Sequence, residues 1–212
     1  MNLNFKTEGQ ELPNVDYISK YIPALSITEA TITTESVKSG LKGTPGLKIN
    51  FVTAPVDGLT DENRNPTGKT ADHTFYITDK TFEGTYMDFN GKKTYVPGVK
   101  DRLLQIADAT GTRQQLDEVG NTSNNLDEYL NGVTKIFNGV SARFKFGGEE
   151  IEGKDGKQNW TKAVLARYNF VESLNVPTEM SKLKVGPKDL KILPTTTATE
   201  TVPQRTSAAN LY

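Results

Sequence analysis

Apolar and polar positions alternate cleanly between Gly46 and Val52, where Leu47, Ile49 and Phe51 point one way and Lys48 and Asn50 the other. Such a period of two marks a strand with one buried and one solvated face. The preceding segment, about Ala24 to Thr34, reads as a second strand. A basic, glycine-rich connection (Lys38, Gly40, Lys42, Gly43) joins the two. In that earlier strand the apolar parity switches between Ile27 and the pair Ala30/Ile32, which predicts a bulge or a bend at a barrel corner. Pro55 to Thr70 is a long polar loop dense in turn formers. His73 to Thr78 alternates again, with Phe75 and Ile77 opposed to Thr74, Tyr76 and Thr78. Phe82 to Phe89 and Lys92 to Val96 flank Asn90-Gly91, the strongest short-range hairpin signal.

After Pro97 the period changes. Val99, Leu103, Ile106 and Ala107 fall on one helix face, and Gly111 is a natural stop. A second helix is expected from about Asn125 to Phe137, with Asn124 as its N-cap and a polar stretch at 113–124 before it. Strand pattern returns with Val140, Ala142, Phe144 and Phe146 against Ser141, Arg143 and Lys145. Residues 147–158 form a turn region, and Trp160 to Val171 form a partner strand. That strand carries apolar residues on both parities and so is expected to be buried on both faces. From Leu174 the pattern fades, and the Thr/Pro/Ala-rich end reads as disordered.

The expected division is a domain over 1–190, with a helical insertion at about 97–137, and a flexible C-terminal tail over 191–212. The order of elements predicts a mainly β fold. It fits an antiparallel barrel of the oligonucleotide-binding (OB) kind carrying a helical insertion. A β-sandwich fits the same pattern.

Composition narrows the class. The apolar share of 35% is low for a packed globule, so part of the chain is expected to lie outside the core. Lys+Arg at 25 nearly cancel Asp+Glu at 26, which leaves room for a local basic face but not for a generally basic coat. The chain has no cysteine, which suits a reducing compartment and removes thiolate chemistry. It has no apolar run of membrane-spanning length and no leader-like start, so a soluble, cytoplasmic protein is expected.

Enzymatic signals are poor. His73 is the single histidine, with no serine or cysteine arrangement around it, and reads as structural. Gly68-Lys69-Thr70 lacks the leading glycine of a phosphate-binding loop, since Asn63 stands there, and precedes a strand instead of a helix. Asp61, Asn63, Asn65 and Asp72 are spaced like a calcium loop, but Pro66 occupies the position that needs glycine. Glu149, Glu150, Glu152 and Asp155 crowd one hairpin tip among lysines and read as a solvated, charged turn. No catalytic residue, metal ligand or cofactor is expected.

What remains is a surface. With the apolar parities facing inward, Lys48, Tyr76, Arg143 and Lys145 point outward. Lys38 and Lys42 lie on the neighbouring loop, Tyr86 and Trp160 add rings, and Arg167 adds a cation. Cations interleaved with aromatics on one sheet face suit single-stranded nucleic acid, with phosphates on the charges and bases on the rings.

The strand Pro23 to Thr34, the Lys38-Ser39-Gly40 loop, the strand Leu47 to Phe51 and the helix from Val99 through Gly111 carry a resemblance. Asn138-Gly139-Val140 and Arg167-Tyr168-Asn169-Phe170 extend it. Over residues 20 to 175 the chain resembles the single-stranded-DNA-binding proteins of tailed bacteriophages. The resemblance implies a non-enzymatic protein that coats and protects single-stranded DNA during replication and recombination in the bacterial host cytoplasm. It also implies recruitment of replication proteins through a C-terminal tail. Here residues 194–212 hold only Glu200 and Arg205 as charges, so the acidic tail of that family is missing. The rival reading is a virion or protein-interaction β-domain that binds no nucleic acid.

Overall fold

The computed structural model describes residues 19–40, 42–60, 67–152 and 159–192. The tail expected at 191–212 therefore lies almost wholly outside the described residues, as do Asp61, Asn63, Asn65 and Asp155. The fold is mainly β, with 39% strand against 28% helix, and its antiparallel sheet curls strongly into a half-barrel.

Strand β1 (Ser26–Lys38) pairs with β2 (Pro45–Val52), and β2 pairs with β3 (Thr70–Tyr76). The predicted bulge in β1 is absent. Its register runs unbroken, and Ile27 is simply an outward-facing residue, 40% exposed. A one-turn helix, α1 (Asp79–Phe82), takes Phe82 out of the expected hairpin, which is β4 (Thr85–Phe89) and β5 (Lys92–Val96). Asn90 and Gly91 both have positive φ, 55° and 80°, as a type I′ turn requires.

Three helices follow. α2 (Val99–Thr110) ends at Gly111 in the left-handed conformation, as expected. Residues 113–124, read as a polar connection, contain α3 (Arg113–Thr122), which buries only Leu116. Its apolar face is too thin for a periodicity signal. α4 (Leu126–Phe137) is capped by Asn125, whose side chain accepts from the Glu128 amide at 2.9 Å, one residue later than expected.

β6 (Ser141–Glu152) is the hub of the sheet. It pairs along one edge with β1 and β9 (Leu190–Lys191), and along the other with β7 (Asn159–Leu165) and β8 (Val171–Glu172). The main path is β3-β2-β1-β6-β7. The expected strand from Trp160 to Val171 stops at Leu165. Double-sided burial belongs to β6 instead, whose central residues are all buried.

The concave face holds the core. Ile32, Leu47, Ile49, Phe51, Phe75, Phe144 and Phe146 converge there, with Phe51 edge-on to Phe144 and Phe146 at 4.9 and 5.2 Å. Leu103 and Ile106 of α2 and Leu130, Val133 and Phe137 of α4 fill the mouth. The one polar side chain on β1 that is buried there, Thr34, is satisfied by the end of α4. Its amide donates to Asn138 Oδ1 at 2.6 Å and its hydroxyl to the Thr134 carbonyl at 3.1 Å.

β3 and β7 run parallel and face each other across a seam without pairing into a ladder. Two contacts bridge it, while at one end the segment 20–22 is laid onto β3 by hydrogen bonds of Ile22 and Lys20 with Thr70. On the outside Lys162 meets Asp72 at 3.8 Å. From α2, the Arg102 guanidinium lies 4.7 Å over the Phe75 ring and 4.8 Å over Phe170, and donates to the Ala166 carbonyl at 2.8 Å.

The convex face of β6 carries Arg143 and Lys145. Both were expected in solvent, but the segment 172–191 crosses over them and leaves them 6% and 4% exposed. Arg143 binds Glu29 at 2.9 Å, Glu172 at 3.3 Å and the Val176 carbonyl at 3.0 Å. Lys145 binds Asp189 at 3.2 Å. Gly147 permits the crossing, because a Cβ there would collide with the Asp189 carbonyl. No helix among the described residues is long and apolar enough to cross a membrane.

Two outcomes follow from these buried groups. Asp189→Ala strands the Lys145 ammonium and lowers the unfolding free energy by about 3–5 kcal/mol in urea melts, and adding Lys145→Met recovers most of that loss. Burial, with Arg102 close by, lowers the His73 imidazole to about 4. The unfolded chain then binds the extra proton between pH 6.5 and 4, so stability is full above the upper value and falls through that window. The fall is about 3 kcal/mol, and a His73→Phe variant is expected to lose that acid dependence.

Candidate nucleic-acid interface

The convex wall of β1, β2, β3 and β7 is the largest part of the sheet that the helices and the 172–191 segment leave open. Its outward positions include Glu35 and Lys48, Asn50, Asp72 and Thr74, and Trp160 and Lys162, by the registers of the four strands. Tyr76 ends β3 on this wall and is 49% exposed; Trp160 begins β7 on it and is 67% exposed. Tyr76 lies beside Gly46 of β2, whose missing side chain leaves room for the ring. Tyr76 stands four residues beyond Asp72, and Trp160 two before Lys162, on parallel strands tied by the Asp72–Lys162 pair. Six residues at about 3.3 Å each separate the two rings by about 20 Å along the wall.

The wall's charges are largely internal. Lys48 pairs with Glu35 at 3.0 Å, and that hydrogen bond raises the lysine's pKa and lowers the carboxylate's. Lys162 pairs with Asp72. Exposed pairs of this kind are weak and exchange easily for another anion. Lys38, at the end of β1 on its inward parity, and Lys42, on the loop that follows, are exposed at the β1–β2 turn. Their loop, expected to be mobile, is stitched: the Ser39 amide donates to the Thr44 carbonyl, the Gly43 amide to the Ser39 carbonyl, and the Thr44 amide to Ser39 Oγ, at 2.9, 2.9 and 3.1 Å.

The nine residues singled out in the sequence therefore separate. Lys48, Tyr76 and Trp160 share the wall. Lys42 lies on the loop that joins β1 to β2, and Lys38 ends β1 opposite Pro45, on the inward parity of that strand. Arg167 is exposed just after β7, its guanidinium 5.5 Å over the Tyr168 ring, at the edge of the seam. Tyr86 stands apart on the hairpin, 71% exposed and paired with Tyr95 at 5.2 Å. Asp101 accepts from the Tyr95 hydroxyl at 2.6 Å, which pushes that phenol up to about 12 and ties the hairpin base to α2. Arg143 and Lys145 are withdrawn beneath the 172–191 segment, so they offer no exposed charge. Sequence reading missed Lys162, two residues after Trp160 on the same face of β7, and Arg102. The latter borders an apolar helix stripe, and nothing in the pattern marks it.

A groove of about 1100 Å³ lies elsewhere, between α1, α2, α3 and α4. Its floor is Phe82, Leu104, Leu116 and Leu126. Asp79, Glu83 and Asp117 line it against one cation, Lys100, already bound to Glu83 at 3.0 Å. That sign of charge repels a polyanion. Among the described residues no three of His, Asp and Glu gather as a metal-binding group. Comparison of the chain with family models, with curated proteins and with solved structures finds no match.

Proposed function

We propose that this protein binds single-stranded DNA, without catalysing a reaction, along the convex wall of its curled sheet. The observation that carries the reading is the pair of exposed rings, Tyr76 and Trp160, on one wall with Lys48 and Lys162 between them; Lys38 and Lys42 add exposed charge at the turn that joins β1 to β2. Rings on a sheet give a sequence-tolerant stacking platform, and lysines beside them take phosphates. The strand order β3-β2-β1-β6-β7, with helices between β3 and β6, is consistent with an OB-like barrel. In that architecture the face of the second and third strands and the first hairpin loop are where oligonucleotides lie. These are β2, β3 and the Lys38–Lys42 loop. The biological role that goes with this reading is coating and protecting phage DNA during replication and recombination in the host cytoplasm, alongside replication proteins.

A second reading, a virion or interaction domain that binds no nucleic acid, draws on the internal ion pairs of the wall and on the hairpin. Tyr86, Met87 and Phe89 of β4 are all exposed.

Titration with oligo-dT separates the two. Binding quenches Trp160 emission, and the logarithm of the affinity falls linearly with the logarithm of salt concentration. Tyr76→Ala and Trp160→Ala each weaken binding by about 1–3 kcal/mol. A wild-type protein that shows neither quenching nor a salt-sensitive mobility shift, but self-associates, belongs to the second reading.

A further inference from the structure

Buried cations elsewhere in this molecule have carboxylates: Arg143 has Glu29 and Glu172, and Lys145 has Asp189. Arg102 has none. Its side chain reaches from α2 into the seam between β3 and β7 and is clamped between the rings of Phe75 and Phe170. One of its terminal nitrogens, Nη2, donates to the Ala166 carbonyl. Nε is buried without a partner among the described residues. Arg167 follows the residue that accepts from Arg102, and its charge acts on Arg102 directly. Desolvation, reinforced by Arg167, lowers the Arg102 pKa to about 10. Burying a guanidinium beside another cation is unfavourable unless an anion compensates.

We propose that the seam edge at Arg102 and Arg167 is a binding site for a phosphate group. Guanidinium groups suit such a ligand because their fixed forks match phosphate oxygens. Arg167 lies over Tyr168, whose ring is 43% exposed, so a platform for a base adjoins the phosphate position. Lys162, on the outer side of the same seam, adds positive charge, with Asp72 as the carboxylate that partly offsets it. His73 faces the core side of the seam, edge-on to Phe75 at 4.7 Å, and burial keeps it neutral near pH 7. The seam lies between the strands that carry Tyr76 and Trp160, and assigning its phosphate to a polynucleotide backbone rests on the reading given under Proposed function. A free phosphate or nucleotide is the other source of the same chemistry.

The test uses the full chain, Arg167→Gln, Arg102→Met and the wall variant Tyr76→Ala. Oligo-dT affinity is measured over a salt series, and thermal melts are recorded in inorganic phosphate and in chloride at equal ionic strength. Arg167 is exposed, so its variant reports even where Arg102→Met fails to fold. The expected result is a log–log salt slope shallower by about 0.7 for each seam arginine removed, as loss of one single-strand phosphate contact requires. Phosphate raises the melting temperature of the wild type more than that of Arg167→Gln, a difference that cancels phosphate's general stabilising effect. Oligo-dT binding that depends on Tyr76 but keeps its slope in both arginine variants overturns the seam site and leaves the wall standing. Absence of oligo-dT binding with an Arg167-dependent phosphate shift supports the seam as a free-phosphate site and removes the proposed function. Absence of both overturns the two together.

Discussion

Burying a cation without a counter-charge is costly, and that constraint shapes the far side of this sheet. Arg143 and Lys145 alternate outward on β6 as the period of a strand demands, so on a bare sheet they would be solvated. Glu172 and Asp189 instead draw the last described segment across them. Glu172 is itself held by the Lys182 amide at 2.9 Å, which leads the causes keeping its carboxyl below the usual range. Asp189 is fixed by the Gly186 amide at 2.9 Å. A stretch with almost no hydrophobic pattern is thereby ordered by ion pairs and backbone bonds, and β6 becomes buried on both faces.

That cover decides which surface is left. One side of the curled sheet is filled by α2 and α4, and the β6 part of the other is roofed by 172–191. Only the convex wall of β1, β2, β3 and β7 remains, and the seam runs through it. The half-barrel is closed there by side chains instead of a ladder, with Arg102 wedged between two rings from opposite edges. Closure of this kind leaves polar groups at the edge open to a ligand, which a continuous ladder would have consumed.

The charge pattern on the wall is close to balance, since Lys48 and Lys162 each have an acidic neighbour. A polyanion arriving there competes with weak surface pairs, so the rings carry more of the affinity than the lysines do. Lys42 and Arg167 are exposed and have no such neighbour among the described residues.

Local chemistry was legible in the sequence wherever the physics is local. The Asn90-Gly91 turn, the Gly111 stop, the inward set Leu47, Ile49 and Phe51 and the mainly β class all follow from periodicity and backbone preference. So does the outward aim of Tyr76, because β3 has one covered face. What periodicity cannot express is which outward face another segment later covers. Arg143 and Lys145 carry the same alternation as Lys48, yet they lie beneath a segment some thirty to forty residues downstream, and only the tertiary structure decides that difference. The seam is non-local for the same reason: Phe75, Arg102 and Phe170 meet through curvature of the sheet, a property of all the strands together and of no single one.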